Sequence, residues 1–341
     1  MKTSRIVVVA LVAAAALGAQ AAPAKAPRVA VFVPGIASGS PIYEQLVAGA
    51  KRAAAEVPGA SVKVVEAGNN QAGWLESLSA LVSTGEYDLV VTSNPSMPEL
   101  CAQAAASFPG VRFFVADAWM KGNQAIHTVL YNQIDEGYFV GYLAGLAAKG
   151  RLSGATATHK AGMIIAQHYP TMDKMIIPGF EKGLKAADPE ATLEVRVVGN
   201  WYDATKASEL ANGLFDAGAT AILPIAGGAG RGVVGAAKSR GRYVLCFDDA
   251  SGYQSAPGTV IGCSVLAQER LVYERVKALL AEGSSSSLYG KAEVVGAREG
   301  YVDFDGSGAA YRALPVDVRS ALEAEVARLK SGKLSFPVSG F

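Results

Sequence analysis

The chain has 341 residues, half of them hydrophobic and 18% charged. That is enough apolar material for two domains with cores of their own and too much for a disordered chain. With 31 basic against 30 acidic residues, the chain has no electrostatic footprint for nucleic acid or an anionic membrane surface.

Lys2 and Arg5 precede the apolar run IVVVALVAAAALG, and Ala19, Gln20 and Ala21 form a small-residue cleavage site. This pattern predicts a secretory signal peptide over residues 1–21. An uncleaved anchor is the alternative, but it needs about 18 apolar residues, and this run is shorter and passes into the linker-like APAKAP. No cysteine lies near the cleavage site, so the expected product is soluble, without a lipid anchor, in the periplasm or outside the cell. Removing Lys2 and Arg5 leaves 29 basic residues against 30 acidic.

RVAVFVP reads as a buried strand broken at Pro34 and Gly35, followed by a helix opening at Pro41 with Tyr43 in its first turn. SVKVVEAG, a helix ending near Gly85, DLVVTSNP, another helix and VRFFVAD follow. The pattern then repeats. Ala30 and Ala161, Pro58 and Pro189, Gly68 and Gly199, Asn69 and Asn200, and Asp117 and Asp248 are each 131 residues apart, without a gap. Strands alternating with helices predict right-handed βαβ units on a parallel sheet, so each copy is a small doubly wound α/β lobe. The expected division is residues 27–126 plus 252–282 for the first lobe and 127–251 plus 283–341 for the second.

In such sheets ligands meet the carboxyl ends of the strands. The candidates are therefore Ser38 to Tyr43, Asn69, Asn70, Ser93, Asn94 and Asp117 in the first copy. In the second they are Gln167 to Tyr169, Asn200 to Asp203, Gly227 to Gly230 and Asp248. Two matched lobes on one chain imply a cleft between them that closes on a ligand. Trp201 in a polar turn offers a large rigid face to a flat ligand. Tyr43 either faces the same cleft or packs on its own helix. Asp117 and Asp248 can accept from ring N–H groups or sugar hydroxyls, or cap the helices that follow. Asp203 and Asp249 read as caps.

GGAGRG, with Asp248 twenty residues beyond Gly228, mimics a dinucleotide fingerprint, but Val233 stands at its last glycine position. Close backbone approach to a ligand explains these glycines equally well. His127, His159 and His168 lack metal-ligand or triad spacing, and solvent-facing or strand-end roles are expected for them. His168 and Tyr169 follow a strand and can line the cleft. No catalytic motif and no metal site is expected. Cys101, Cys246 and Cys263 are too few for a disulfide framework, so free buried thiols are expected, with a Cys246–Cys263 bridge as the alternative.

YNQIDEGYFVGYLAG (residues 131–145), GNWYDATKASELANGLFDAGAT (199–220), AGGAGRGV (226–233) and VLCFDDA (244–250) together resemble the basic-membrane-protein, PnrA-like solute receptors of ABC importers. The resemblance covers nearly all of the mature chain and implies a type I periplasmic-binding fold, two lobes around a central cleft. It also implies an inner-membrane ABC permease as partner, no bound cofactor and no enzymatic activity; a monomer is expected. Carried over residue by residue, the ligand-binding positions are Tyr43, Asn94, Asp117, Trp201, Gly228 and Asp248, with two aromatics sandwiching a heterocycle. Two positions depart from the nucleoside-binding pattern. The acidic turn before the first helix is SGSPIYEQ, and the expected lysine is Leu266. Both departures point toward riboflavin as the transported ligand, with a purine nucleoside as the alternative. An exported nucleotide-cofactor oxidoreductase and a sensor domain are the readings from other classes.

Overall fold

The computed structural model describes residues 26–152 and 156–340; the expected signal peptide lies outside the described residues. The chain runs through β1 (Arg28–Val33), β2 (Ser61–Glu66), β3 (Leu89–Ser93), β4 (Arg112–Ala116), β5 (Ile126–Tyr131) and β6 (Lys160–Ile165). It continues through β7 (Thr192–Val197), β8 (Ala221–Ile225), β9 (Tyr243–Cys246), β10 (Val260–Leu266), β11 (Ala292–Val295) and β12 (Val302–Asp305).

The strands form two six-stranded sheets, ordered β11-β5-β4-β3-β1-β2 and β12-β10-β9-β8-β6-β7. All pairings are parallel except β10 with β12. Apart from that edge, the second sheet repeats the first strand for strand. β2 and β7, 131 residues apart, share an edge position and the same alternation of exposed and half-buried residues. The inner strands β1, β3 and β5 are almost wholly buried, as expected of a parallel sheet covered by helices on both faces. Each sheet has an apolar cluster on each side.

The division between lobes differs from the sequence expectation. Residues 127–131 belong to β5 and complete the first sheet, not the second. In the segment 252–282, β10 stays in the second sheet. Only the helix Gln268–Glu282 returns, packing on the helix Pro41–Ala55 of the first lobe. β11 then joins the first sheet and β12 the second. The chain therefore crosses between lobes three times, near Asn132, near Ala267 and over residues 296–301. A buried apolar strand carries the same pattern whichever sheet receives it, so periodicity does not reveal its partners.

The crossings lie side by side. The Asn132 amide donates to the Val295 carbonyl at 2.7 Å and the Ala267 amide to the Tyr301 carbonyl at 2.9 Å. The Ala297 amide donates to Asp135 Oδ2 at 2.9 Å. The helix Gln133–Ala148 leaves the first crossing and is buried along nearly its whole length. It lies against the helix Ile177–Ala187 with backbones almost touching. A Cβ at Gly141 would sit 2.1 Å from the Phe180 carbonyl oxygen, and one at Gly183 2.1 Å from that of Tyr138. Only glycine fits this contact.

Cys246 and Cys263 face each other in register on β9 and β10, and all three cysteines are free thiols. His127 is neither exposed nor at a strand end. It is buried inside β5, with Nδ1 3.1 Å from the Lys291 carbonyl and Nε2 3.3 Å from Glu293. His159 pairs with Asp188 and His168 with Asp173.

Candidate functional site

The carboxyl ends of β4, β5, β8 and β10 and the turn after β9 converge on one cavity of about 70 Å³ between the lobes. Asp117 and Asp248 line it, with Gln133, Tyr169, Phe247 and Leu266 among their neighbours. Both aspartates take the left-handed backbone conformation, with φ of 52° and 69°. Among the described residues only four non-glycine residues have positive φ; Asn94, at 130°, is the third and His159 the fourth. Such a backbone is disfavoured for any L-residue, least for Asn and Asp, and strain of this kind gathers at functional sites. Three of the four are ligand contacts expected from the sequence.

Burial pushes the Asp117 carboxyl up to about 6. Asp248, buried and repelled by the charges of Asp117 and Asp249, is raised to about 8. Glu136 is the third acid of the group. It projects from the first turn of the Gln133–Ala148 helix, fully buried, and Oε1 accepts the Asp248 amide at 2.9 Å. Burial, followed by the charges of Asp248 and Asp117, holds it well above the usual carboxylate range. Gln133 donates from Nε2 to Asp117 Oδ1 at 3.3 Å. Gln133 Oε1 and Glu136 Oε2 are buried without a hydrogen-bond partner.

The other expected contacts fall into two groups. Tyr43 and Asn94 are beside Asp117. The Tyr43 hydroxyl donates to the Pro34 carbonyl at 3.2 Å, its ring covers Gly35, and its acidity is weakened by burial, with Asn94 and Asp117 close by. Asn94 Oδ1 accepts the Ser96 amide at 2.9 Å, fixing the turn after β3. Trp201 and Gly228 form a separate wall. Trp201 is 38% exposed; its ring packs over Gly227 and lies 6.4 Å from the Tyr169 ring. The Ala229 amide ties this wall to the Trp201 carbonyl at 3.1 Å. In this conformation the aromatic neighbour of Trp201 is Tyr169, a residue that also lines the cavity. Asp203 caps the helix Ala204–Asp216, accepting the Lys206 amide, whereas Asp249 is not a cap: it accepts the Ser251 amide in the turn before the helix Gly252–Ser255, whose N-cap is Ser251.

Gln133 and Glu136 are the residues that strand-end reasoning misses. Their signal is present in the sequence, because they open the helix that directly follows β5. With the lobe boundary expected at residue 126, that strand falls outside the first copy and its carboxyl end is not among the candidate turns.

A model of the PnrA-like ABC transporter substrate-binding proteins matches residues 26–334. The chain belongs to this family. It is 25% identical over 170 residues to the CD4+ T-cell-stimulating antigen of Listeria monocytogenes, covering 50% of this chain and 45% of the relative. It is 27% identical over 157 residues to the ABC transporter nucleoside-binding protein BmpA of Lactococcus lactis, covering 45% of this chain and 41% of that protein. The chain thus spans less than half the length of the curated relatives it matches. A solute-binding protein of an ABC transporter system from Aeropyrum pernix superposes with a TM-score of 0.73 at 21% identity, covering 91% of this chain and 93% of that one. At that identity the likeness shows the fold: two α/β lobes of the periplasmic-binding type. Among the described residues no helix is long and apolar enough to cross a membrane.

Proposed function

We propose that this protein is the exported receptor of an ABC importer and captures a small nitrogen heterocycle, carrying hydroxyl or amino groups, between its two lobes. The observation that carries the reading is the pair Asp117 and Asp248. They stand 131 residues apart at matching turns of the two sheets, both in left-handed backbone, and line one buried cavity. Pockets for drug-sized ligands measure roughly 300–1,000 Å³. The 70 Å³ cavity is therefore a closed form, and a solute of nucleoside or flavin size enters by separating the lobes about the three crossings.

Of the two ligands expected from the sequence, a purine nucleoside is supported ahead of riboflavin by the lining. Carboxyl and amide oxygens want donors, which base N–H and ribose O–H groups supply, whereas the flavin ring edge is dominated by carbonyl acceptors. The name of the Lactococcus relative agrees with this order. Riboflavin stays as the second reading because Leu266 gives the cavity an apolar wall. The family works with a membrane permease, and the leader at residues 1–21 would deliver the receptor to it.

Titrating the purified protein with inosine, guanosine and riboflavin while following tryptophan fluorescence tests the reading. Trp201→Ala is expected to weaken binding by about 1–3 kcal/mol, the range for losing one aromatic face from a stacked base. An unchanged affinity would place Trp201 outside the solute site. No response to any solute, with no co-purified small molecule by native mass spectrometry, would count against the receptor reading itself.

A further inference from the structure

The cavity and the layer directly behind it hold hydrogen-bond acceptors that lack donors. Gln133, 4% exposed, has Oε1 unpaired, and Glu136, 0% exposed, has Oε2 unpaired immediately behind Asp248. A buried acceptor left unsatisfied forfeits its hydration without return. None of the nine residues lining the cavity is Lys, Arg or His, so no cation of the protein stands in the cavity beside Asp117 and Asp248. The other lining residues are the aromatic Tyr169 and Phe247, with Trp201 beyond Tyr169, and the aliphatic Ile42, Ile176, Ile225 and Leu266. Aromatic faces attract cations most strongly in desolvated sites. A metal ion does not suit this arrangement, because among the described residues no three His, Cys, Asp or Glu side chains are grouped to hold one.

We infer that the solute is an organic cation: an amidinium- or iminium-type nitrogen group fused or attached to a flat ring, whose N–H groups donate to Asp117, Asp248 and Gln133 Oε1 while the ring lies against Tyr169. A charge of this kind stabilises an aspartate that releases its proton to solvent on binding, pairs the orphaned Gln133 Oε1 and puts a π-face against Tyr169. The inference deepens the receptor reading and rests on the interlobe cavity being the solute site. It does not require the solute to be a nucleoside.

Matched pairs that differ in charge but little in shape test it. Isothermal titration of the purified protein, stripped of small molecules by reversible unfolding, would compare benzamidine with benzamide and 1-methyladenosine, a cation at neutral pH, with adenosine. Binding at least tenfold tighter for the cation of each pair is expected, together with a fall of that ratio toward one in Asp117→Asn. Asn tolerates the left-handed backbone at this position, and Asp248→Asn serves as a second variant if the first does not fold. Ratios near one in the unmodified protein, or no measurable binding of either cation, would overturn the inference. If adenosine, guanosine or riboflavin bound under those conditions, the receptor reading would survive and only the charge assignment would fall.

Discussion

Asp248→Asn is expected to make the ligand-free protein melt higher at pH 8 to 9 while weakening solute binding. Burial, with the charges of Asp117 and Asp249, lifts the Asp248 carboxyl to about 8 in the fold, against about 3.9 for an unperturbed aspartate. The folded state therefore holds a proton that the unfolded state has already released. Stability from this group is full below the unfolded value and is lost as pH rises through the folded one. Asp117, raised to about 6 by burial, contributes in the same direction over a lower window. A tenfold change in an acid's dissociation constant corresponds to about 1.4 kcal/mol, so the cost of ionising Asp248 is on the order of several kcal/mol. Asparagine removes that cost, accepts the left-handed backbone at φ 69°, and keeps the amide that donates to Glu136. Melting curves from pH 5 to 9 should fall for the unmodified protein and flatten at the upper end for the variant. A variant that melts below the unmodified protein at pH 9 would refute this account. The opposing effects on stability and binding are those of a site whose acids are kept for a ligand and not for the fold.

The largest loss of stability is expected at Gly141. Adding one methyl group there places it 2.1 Å from the Phe180 carbonyl oxygen, and neither backbone can yield without parting two closely packed helices. Overpacking a core costs roughly 1–3 kcal/mol and sometimes more, and backbone on the receiving side puts Gly141→Ala at or above the top of that range. In a chain of this size, about 3 kcal/mol lowers the melting temperature by about 4 °C. Gly235→Ala is the control. It lies within the helix Gly230–Arg240, where an added Cβ meets nothing within 4 Å, and should be neutral or stabilising by up to about 1 kcal/mol. Equal melting of the two variants would mean that the Gly141 contact is looser than described.

Much of the architecture is legible in the sequence because the repeat is written in hard positions. Gly68 and Gly199 both have positive φ, as do Asp117 and Asp248, so with the Pro58 and Pro189 pair three of the five pairs that keep register across 131 positions have a backbone that tolerates few alternatives. The strand-end rule then brings Asp117 and Asp248 together correctly. What stays hidden is which sheet receives each strand after the first four of a copy. IHTVLY and VIGCSVL are both continuous apolar runs, and nothing in either says that the first closes one sheet while the second closes the other. The same ambiguity conceals Gln133 and Glu136, whose helix is apolar on nearly every face and reads as core. Tyr169 is visible as a strand-end aromatic, but its pairing with Trp201 depends on how two loops fold over each other, which no local pattern encodes.

The matched lobes also bear on how a solute is oriented. Two halves descended from one ancestral unit would present the same groups twice and hold a ligand equally well in either of two poses. Here the duplicated carboxyls remain alike, but the positions around them have diverged: Tyr43 corresponds to Lys174, Asn94 to Ile225, and Trp201 to Asn70. On the proposed reading the shared pair would supply grip without direction, and the mismatched pairs would decide which end of the solute enters which half. Evolution of a new specificity in this chain would be expected to proceed through those unequal partners while the two aspartates stay fixed.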